Sequence, residues 1–252
     1  MNVKMKKVLS GVLTVICLAV FIYAAHGLIS TYLDYSKNKK LVSDLQETFY
    51  QEKETETVGG SSQMIRSGFD RLLAQNDELV GWITIEDTQI DYPILKADNN
   101  NDYLRRDFYK EYNILGSIFM DFRNDIASND LNTIVYGHRT KDGSMFEGLT
   151  NYQDEEFFES HSTFTFDTLY ESYEAEVFAV YITLTDFDYI QTNFETTEQY
   201  EALLTEIEEK SIYDTDIEIG PTDRILTLST CDYALDDNNG RLVVQAKLVK
   251  KG

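Results

Sequence analysis

The first stretch of the chain is apolar. From Val8 to Ile29 only Ser10, Thr14 and His26 interrupt the run, and a helix of about 20 such residues crosses a bilayer. Leu41 to Val58 is polar and acidic with sparse apolar positions, and reads as a helical or loose stalk that ends at the flexible string Gly59-Gly60-Ser61-Ser62. Ile65, Phe69, Leu72 and Leu73 then recur at helical spacing and predict a helix over Met64 to Ala74. From Val80 the period becomes two. Trp82 to Ile85 and Thr88 to Tyr92 predict a hairpin, with Pro93 ending its regular pairing or marking an edge. Further strands are expected over Gly116–Phe122, Leu131–Tyr136, Thr163–Leu169, Tyr173–Leu184, Asp223–Thr230 and Arg241–Val249. Two helices interrupt them. Asp154–Ser160 is short. Thr197–Lys210 carries Tyr200, Leu203, Leu204 and Ile207 on one face behind a Thr196/Gln199 capping box. Many strands and few helices predict a mainly β fold, a closed or nearly closed barrel with peripheral helices.

Charge sharpens this division. Lys4, Lys6 and Lys7 precede the apolar run, and Lys37, Lys39 and Lys40 follow it. The flanking charge is therefore balanced, and the extreme N-terminal position with its short basic head favours the head inside and the domain outside. The rival reading is a signal peptide cleaved near Tyr23-Ala24-Ala25-His26. The expected organisation is a basic head over 1–7, a transmembrane anchor over 8–29, a stalk over 30–63 and a catalytic domain over 64–252. The net charge is −22, yet the first 40 residues hold six lysines against one acid, Asp34. Everything after them is more acidic than the total suggests. Such a surface is repelled by phosphate backbones and by anionic lipid headgroups, which disfavours nucleic acid as a partner.

Three chemistry-bearing residues sit at predicted strand ends. Cys231 closes the run Arg224 to Thr230, His138 follows Thr133 to Tyr136, and Arg241 opens the strand of Leu242-Val243-Val244. A thiol is a nucleophile once deprotonated, an imidazole moves that proton, and a guanidinium holds developing negative charge without losing its own. Cys231 is the only cysteine outside the apolar run, where Cys17 lies. Each residue alone has a bland explanation: a small buried hydrophobe, a structural histidine, a solvated arginine. Together, in a domain expected outside the membrane with no disulfide partner, they point to covalent catalysis. Metal binding has little support, since His26, His138 and His161 share no ligand spacing and the acidic loop Asp232 to Gly240 lacks an EF-hand's alternation.

Thr227-Leu228-Ser229-Thr230-Cys231, Tyr136-Gly137-His138 and Arg241 ahead of a valine-rich strand resemble the sortases, and more narrowly class B. Gly143-Ser144-Met145-Phe146 and Gly116-Ser117-Ile118-Phe119-Met120-Asp121 support the likeness. It covers nearly all of the chain from about Val80 onward. The resemblance implies a sortase-type barrel and a cofactor-free cysteine transpeptidase of a Gram-positive cell membrane, its domain on the extracellular face. Cys231 would attack a C-terminal sorting motif, NPxT-like or related, on a secreted protein and form a thioacyl-enzyme. His138 would move protons, and Arg241 would hold the oxyanion or the substrate backbone. The acceptor would be a peptidoglycan amine, or a pilin lysine in a polymerising variant. Asn100, Leu104, Tyr136, Ser229 and Asp232 match substrate-lining places. Arg139 departs from the asparagine common after the histidine. Tyr233 stands where relatives can carry an acid or amide, a role left to Asp232 or Asp236, or else absent. A hydrolase that releases its cargo, or a non-catalytic peptide-binding module, are the competing readings.

Overall fold

A single helix, α1, runs from Val3 to Lys53. The computed structural model describes residues 3–53, 65–128, 130–232 and 239–251, and it divides into two units, Met1–Leu41 and Val42–Gly252. In the first unit the apolar side chains from Val12 to Leu33 are exposed along the helix. Among the described residues this is the one helix long and apolar enough to cross a membrane by length and composition.

The second unit holds the last turns of α1, then α2 (Asp70–Leu73), β1 (Leu79–Thr84), β2 (Asp91–Leu95), β3 (Ile118–Met120), β4 (Asn132–Tyr136), α3 (Glu155–Ser160), β5 (Thr163–Thr168), β6 (Ser172–Leu184), α4 (Thr197–Lys210), β7 (Ile225–Cys231) and β8 (Gly240–Lys250). The eight strands close a barrel in the order β1-β2-β3-β4-β7-β8-β6-β5. The β2–β3 and β4–β7 neighbours are parallel. The remaining neighbours are antiparallel.

The predicted hairpin forms between β1 and β2, but Thr88 to Ile90 belong to its turn rather than to the strand. Pro93 pairs with Trp82 on the β1 side, and the ladder to β3 begins only at Ile94. The missing N–H is thus placed where no strand asks for it. The run Gly116–Phe122 shortens to the three residues of β3, and the helix expected over 64–74 shortens to a 3₁₀ turn, Ser67–Phe69, followed by α2. Met64 and the string Gly59-Gly60-Ser61-Ser62 lie outside the described residues.

The stripe on α4 packs as its spacing requires. Tyr200, Leu203, Leu204 and Ile207 join Phe178, Tyr181, Ile225 and Val243 in one apolar cluster against β6, β7 and β8. The Tyr200 hydroxyl ties that helix down by donating to the carbonyls of Leu131 and Asp223. Thr196 caps the helix through the Gln199 amide, and the Gln199 side chain reaches back to the Glu195 N–H.

The stretch read as a stalk differs most from expectation. Helix α1 continues along it to Lys53, in line with the helical reading, but residues 42–53 belong to the same compact unit as the barrel. Leu45 and Phe49 are buried. The Phe49 ring stacks on Trp82 with centroids 4.2 Å apart and planes 4° from parallel. Asp91 Oδ1 accepts from Trp82 Nε1, Thr84 Oγ1 and the Tyr50 hydroxyl, so one carboxylate binds the helix to β1 and β2. Asp167 on β5 is fully buried and pairs with Lys53 and Arg66, each at 2.9 Å. Burial alone would raise its pKa. Hydrogen bonds from Ser172, Lys53 and Arg66 and the Lys53 charge outweigh burial and hold Asp167 below the usual 3.8. A carboxyl depressed in the folded state contributes stability above its unfolded pKa and loses it as pH falls through the folded one. The Asp167 clasp is therefore intact at neutral pH and weakens only in acid.

Phe49→Ala removes the ring that stacks on Trp82. Truncating a buried phenylalanine costs about 3–5 kcal/mol, which for a domain of this size lowers the thermal midpoint by roughly 10 °C. A melting curve of the full chain in detergent measures it. An unchanged midpoint would mean that the helix end is no part of the barrel's core.

Candidate active site

Strand pairing assembles the site. In the parallel β4–β7 ladder Tyr136 lies opposite Ser229. The Gly137 N–H continues it by donating to the Ser229 carbonyl, and Thr230 Oγ1 donates to the Gly137 carbonyl at 2.8 Å. These bonds pin the backbone just before His138 against the last residues of β7. On the other side of β7, Cys231 is the register partner of Arg241 on β8. Three adjacent strands thus present imidazole, thiol and guanidinium at one end of the barrel. Gly137 is packed so closely that an added Cβ would lie 2.5 Å from Ile118 Cδ1 and 2.6 Å from Phe146 Cγ.

The three residues line one cleft of about 190 Å³ together with Asn100, Leu104, Tyr136 and Ser229. Seven of the eight residues singled out in the sequence are therefore brought together. Phe119, Gly137 and Thr230 complete the lining. Cys231, His138 and Arg241 are each half-buried, dry enough to strengthen electrostatics yet open to a substrate.

His138 Nε2 lies 2.9 Å from the Leu104 carbonyl. A carbonyl only accepts, so Nε2 carries the hydrogen and Nδ1 is the basic nitrogen of the neutral ring. The backbone that supplies this carbonyl packs closely against Gly116, whose φ is +62°. A Cβ there would lie 2.4 Å from the Tyr103 oxygen and 2.8 Å from the Leu104 oxygen. Arg241 Nη1 donates to the Gly240 carbonyl at 2.8 Å, which orients its guanidinium at the start of β8.

Asp232 is the exception among the expected residues. It follows Cys231 but is buried off the cleft, where its Oδ2 accepts from Arg139 Nη1 at 3.3 Å. Arg139 also pairs with Glu147 at 2.9 Å. The arginine that departs from the family's asparagine thus ties the chain after His138 to the chain after Cys231. Tyr233 and Asp236 lie outside the described residues. His161 caps α3 and stacks on Phe157 with centroids 3.9 Å apart, apart from the cleft. Among the described residues no three His, Cys, Asp or Glu side chains converge as metal ligands.

Two residues not singled out in the sequence support the lining. Tyr189 is buried and shares a 2.9 Å hydrogen bond with Ser229 Oγ. Burial pushes its phenol up, while the Ser229 bond and the nearby Arg241 charge draw it partly back. Asp121 is fully buried and accepts from Asn100 Nδ2 and the Tyr136 hydroxyl, both at 2.9 Å.

A closed eight-stranded barrel with a thiol, an imidazole and a guanidinium on neighbouring strand ends defines a cysteine acyl-transfer enzyme. The description "Sortase domain" matches residues 83–249, and the chain belongs to the sortase family. It is 40% identical over 248 residues to the sortase B of Listeria monocytogenes, covering 98% of this chain and 100% of that protein. A crystal structure of sortase B from Bacillus anthracis, in complex with AAEK1, is 48% identical, spans 87% of this chain and 100% of its own, and has a TM-score of 0.78. A Staphylococcus aureus sortase B–substrate complex is 36% identical with a TM-score of 0.80 over 87% of this chain and 100% of its own. These likenesses place the chain in class B, whose members are cysteine transpeptidases.

Gly116→Ala should disturb the histidine more than the fold. An alanine forced to positive φ costs about 1–2 kcal/mol, and the displaced Leu104 carbonyl releases His138 Nε2. Misplacing a catalytic group by about 1 Å costs up to about a hundredfold in rate. Turnover is expected to fall by about tenfold or more, with a change in the His138 ring signals in a ¹H–¹⁵N spectrum. Unchanged ring signals would show that the carbonyl does not hold the histidine.

Proposed function

We propose that this chain is a single-pass membrane enzyme with its barrel on the extracellular face, and that it joins secreted proteins bearing an NPxT-like C-terminal motif to an amine of the cell wall. The observation that carries this reading is the convergence of Cys231, His138 and Arg241 on one cleft. The apolar exposed stretch of α1 supports the anchor, and its short basic head supports the orientation. The domains follow from these features: head 1–7, anchor 8–29, a connecting helix, and a catalytic barrel. The catalytic boundary moves from 64 to about 42, because residues 42–53 pack with the strands.

Cys231 Sγ, as thiolate, attacks the carbonyl carbon of the motif's threonine. The carbonyl oxygen becomes an oxyanion, which the Arg241 guanidinium stabilises. His138 protonates the leaving amine as the tetrahedral intermediate collapses to the thioester. It then takes a proton from the incoming amine, which attacks the thioester and restores the thiolate. The peptide lies along the walls made by Asn100, Leu104, Tyr136 and Ser229, with Asp232 bonded to Arg139 behind Cys231. Staphylococcus aureus sortase B has been solved with a substrate, and a sortase B has been solved with triglycine. Together they support a donor substrate and a glycine amine as the acceptor for this chain. The step requires no cofactor.

Two measurements on the full chain in detergent test the proposal. A fluorogenic NPxT-like peptide is incubated alone, with triglycine, with a branched cross-bridge mimic, and with a pilin-derived lysine peptide. The expected outcome is a joined product with a glycine or cross-bridge amine and none from Cys231→Ala. Hydrolysis alone under every amine would favour the hydrolase, joining to the lysine peptide alone would favour pilus assembly, and the absence of any thioester would favour the binding module. Arg241→Lys keeps the charge but loses the planar fork of donors. Its rate is expected to fall about a hundredfold or more, as for loss of an oxyanion donor. A rate within about threefold of wild type would move the oxyanion site elsewhere.

A further inference from the structure

Asp121 sits directly after β3 and is completely buried. Its backbone N–H donates to the Ile134 carbonyl on β4, which fixes where its carboxylate points. Oδ1 accepts from the backbone N–H and Nε of Arg123, at 3.0 and 2.8 Å. Oδ2 accepts from Arg123 Nη2 at 2.8 Å, from Asn100 Nδ2 at 2.9 Å and from the Tyr136 hydroxyl at 2.9 Å. Arg123 continues outward to the Ile190 carbonyl at 3.0 Å. A satisfied buried carboxylate is ordinary in itself. Here, however, two of its partners, Asn100 and Tyr136, contribute to the cleft lining from separate segments of the chain. Asp121 is where those segments meet. The Asn100 side chain is turned wholly toward it, since Asn100 Oδ1 accepts from the N–H of the next residue, Phe122, at 3.0 Å.

We propose that Asp121 is the positioning residue that sets the spacing of the Asn100 and Tyr136 walls and thereby the fit of the donor peptide, a role that rests on the cleft's being the peptide groove. Asp121 does not reach the reacting atoms. Its action runs through the two walls. Burial would raise the carboxyl's pKa, but the hydrogen bonds from Arg123, Asn100 and Tyr136 keep it low, so it is an anion at neutral pH and accepts from every one of these donors. An amide at this position could not do so. With its oxygen turned to Arg123, its NH₂ would face the Asn100 NH₂ and the Tyr136 hydroxyl, two groups that currently donate to it.

Asp121→Asn in the full chain in detergent is the test. KM for the NPxT-like peptide is expected to rise about tenfold with kcat within about threefold, since lost wall spacing weakens binding more than chemistry. Alkylation of Cys231 by iodoacetamide should stay within about twofold of wild type, because the thiol is untouched. Hydrogen exchange should quicken over 99–104 and not across the rest of the barrel. An unchanged KM with unchanged exchange would overturn the proposal. So would a uniform loss of kcat, alkylation and protection, which would make Asp121 a support of the fold alone. Should Asp121→Asn fail to fold, Arg123→Lys keeps the charge and removes the fork, and the same selective rise in KM, about threefold, is expected. Should the wild-type enzyme leave the peptide uncut with every amine, the motif reading fails, and exchange over 99–104 still decides for or against the role of Asp121.

Discussion

The parallel pairing of β4 with β7 is the constraint on which the enzyme depends. Its register, Tyr136 opposite Ser229, brings a histidine and a cysteine from distant parts of the chain to one end of the barrel. A slip of one residue would turn every β7 side chain to the opposite face. Thr227, Ser229 and Cys231 alternate on one face, and each has a defined task. Thr227 Oγ1 donates to Asn132 and accepts from Gln245, Ser229 bonds Tyr189, and Cys231 meets the cleft. Gln245 in turn accepts from the Tyr181 hydroxyl. This buried polar chain links β4, β7, β8 and β6, and it has acceptable partners only in the native register.

Aspartates ringed by donors perform a parallel service elsewhere. Asp91 and Asp167 hold the end of α1 to β1, β2 and β5, and Asp121 holds two walls of the cleft. Each carboxylate is surrounded by donors from different elements, and for Asp121 and Asp167, which are removed from water, the cost of burial is offset only when those elements stand in place. The acidic excess of the chain is therefore of two kinds. Most of it faces solvent, and a few members specify tertiary geometry.

Much of this is legible in the sequence. Strands rich in β-branched and aromatic residues at period two, and a capped helix with one apolar stripe, announce themselves through local patterns. Cys231, His138 and Arg241 are readable because few side chains can do their chemistry. The strand order is not, since parallel pairing across a long separation leaves no local trace. The docking of residues 42–53 escapes a sequence reading because Leu45 and Phe49 are its only buried apolar side chains, set within an acidic stretch. Asp121 and Tyr189 are hidden by abundance, one among 44 acidic residues and one among 17 tyrosines. Asp232 is expected at the groove from its place beside the cysteine. A strand end turns neighbouring side chains to different sides, and this one turns toward Arg139.

The separation of the pieces also bears on timing. Gly137 and Thr230, whose hydrogen bond fastens the histidine segment to the cysteine strand, are 93 residues apart. No hairpin or helix that could form early contains both reactive groups, and closing so long a loop is entropically costly until much of the barrel exists to reward it. A partly folded chain thus exposes the Cys231 thiol without the His138 imidazole or the Arg241 guanidinium on a neighbouring strand end. The fold acts as its own safety catch: acyl transfer becomes available only when the molecule able to direct it is complete.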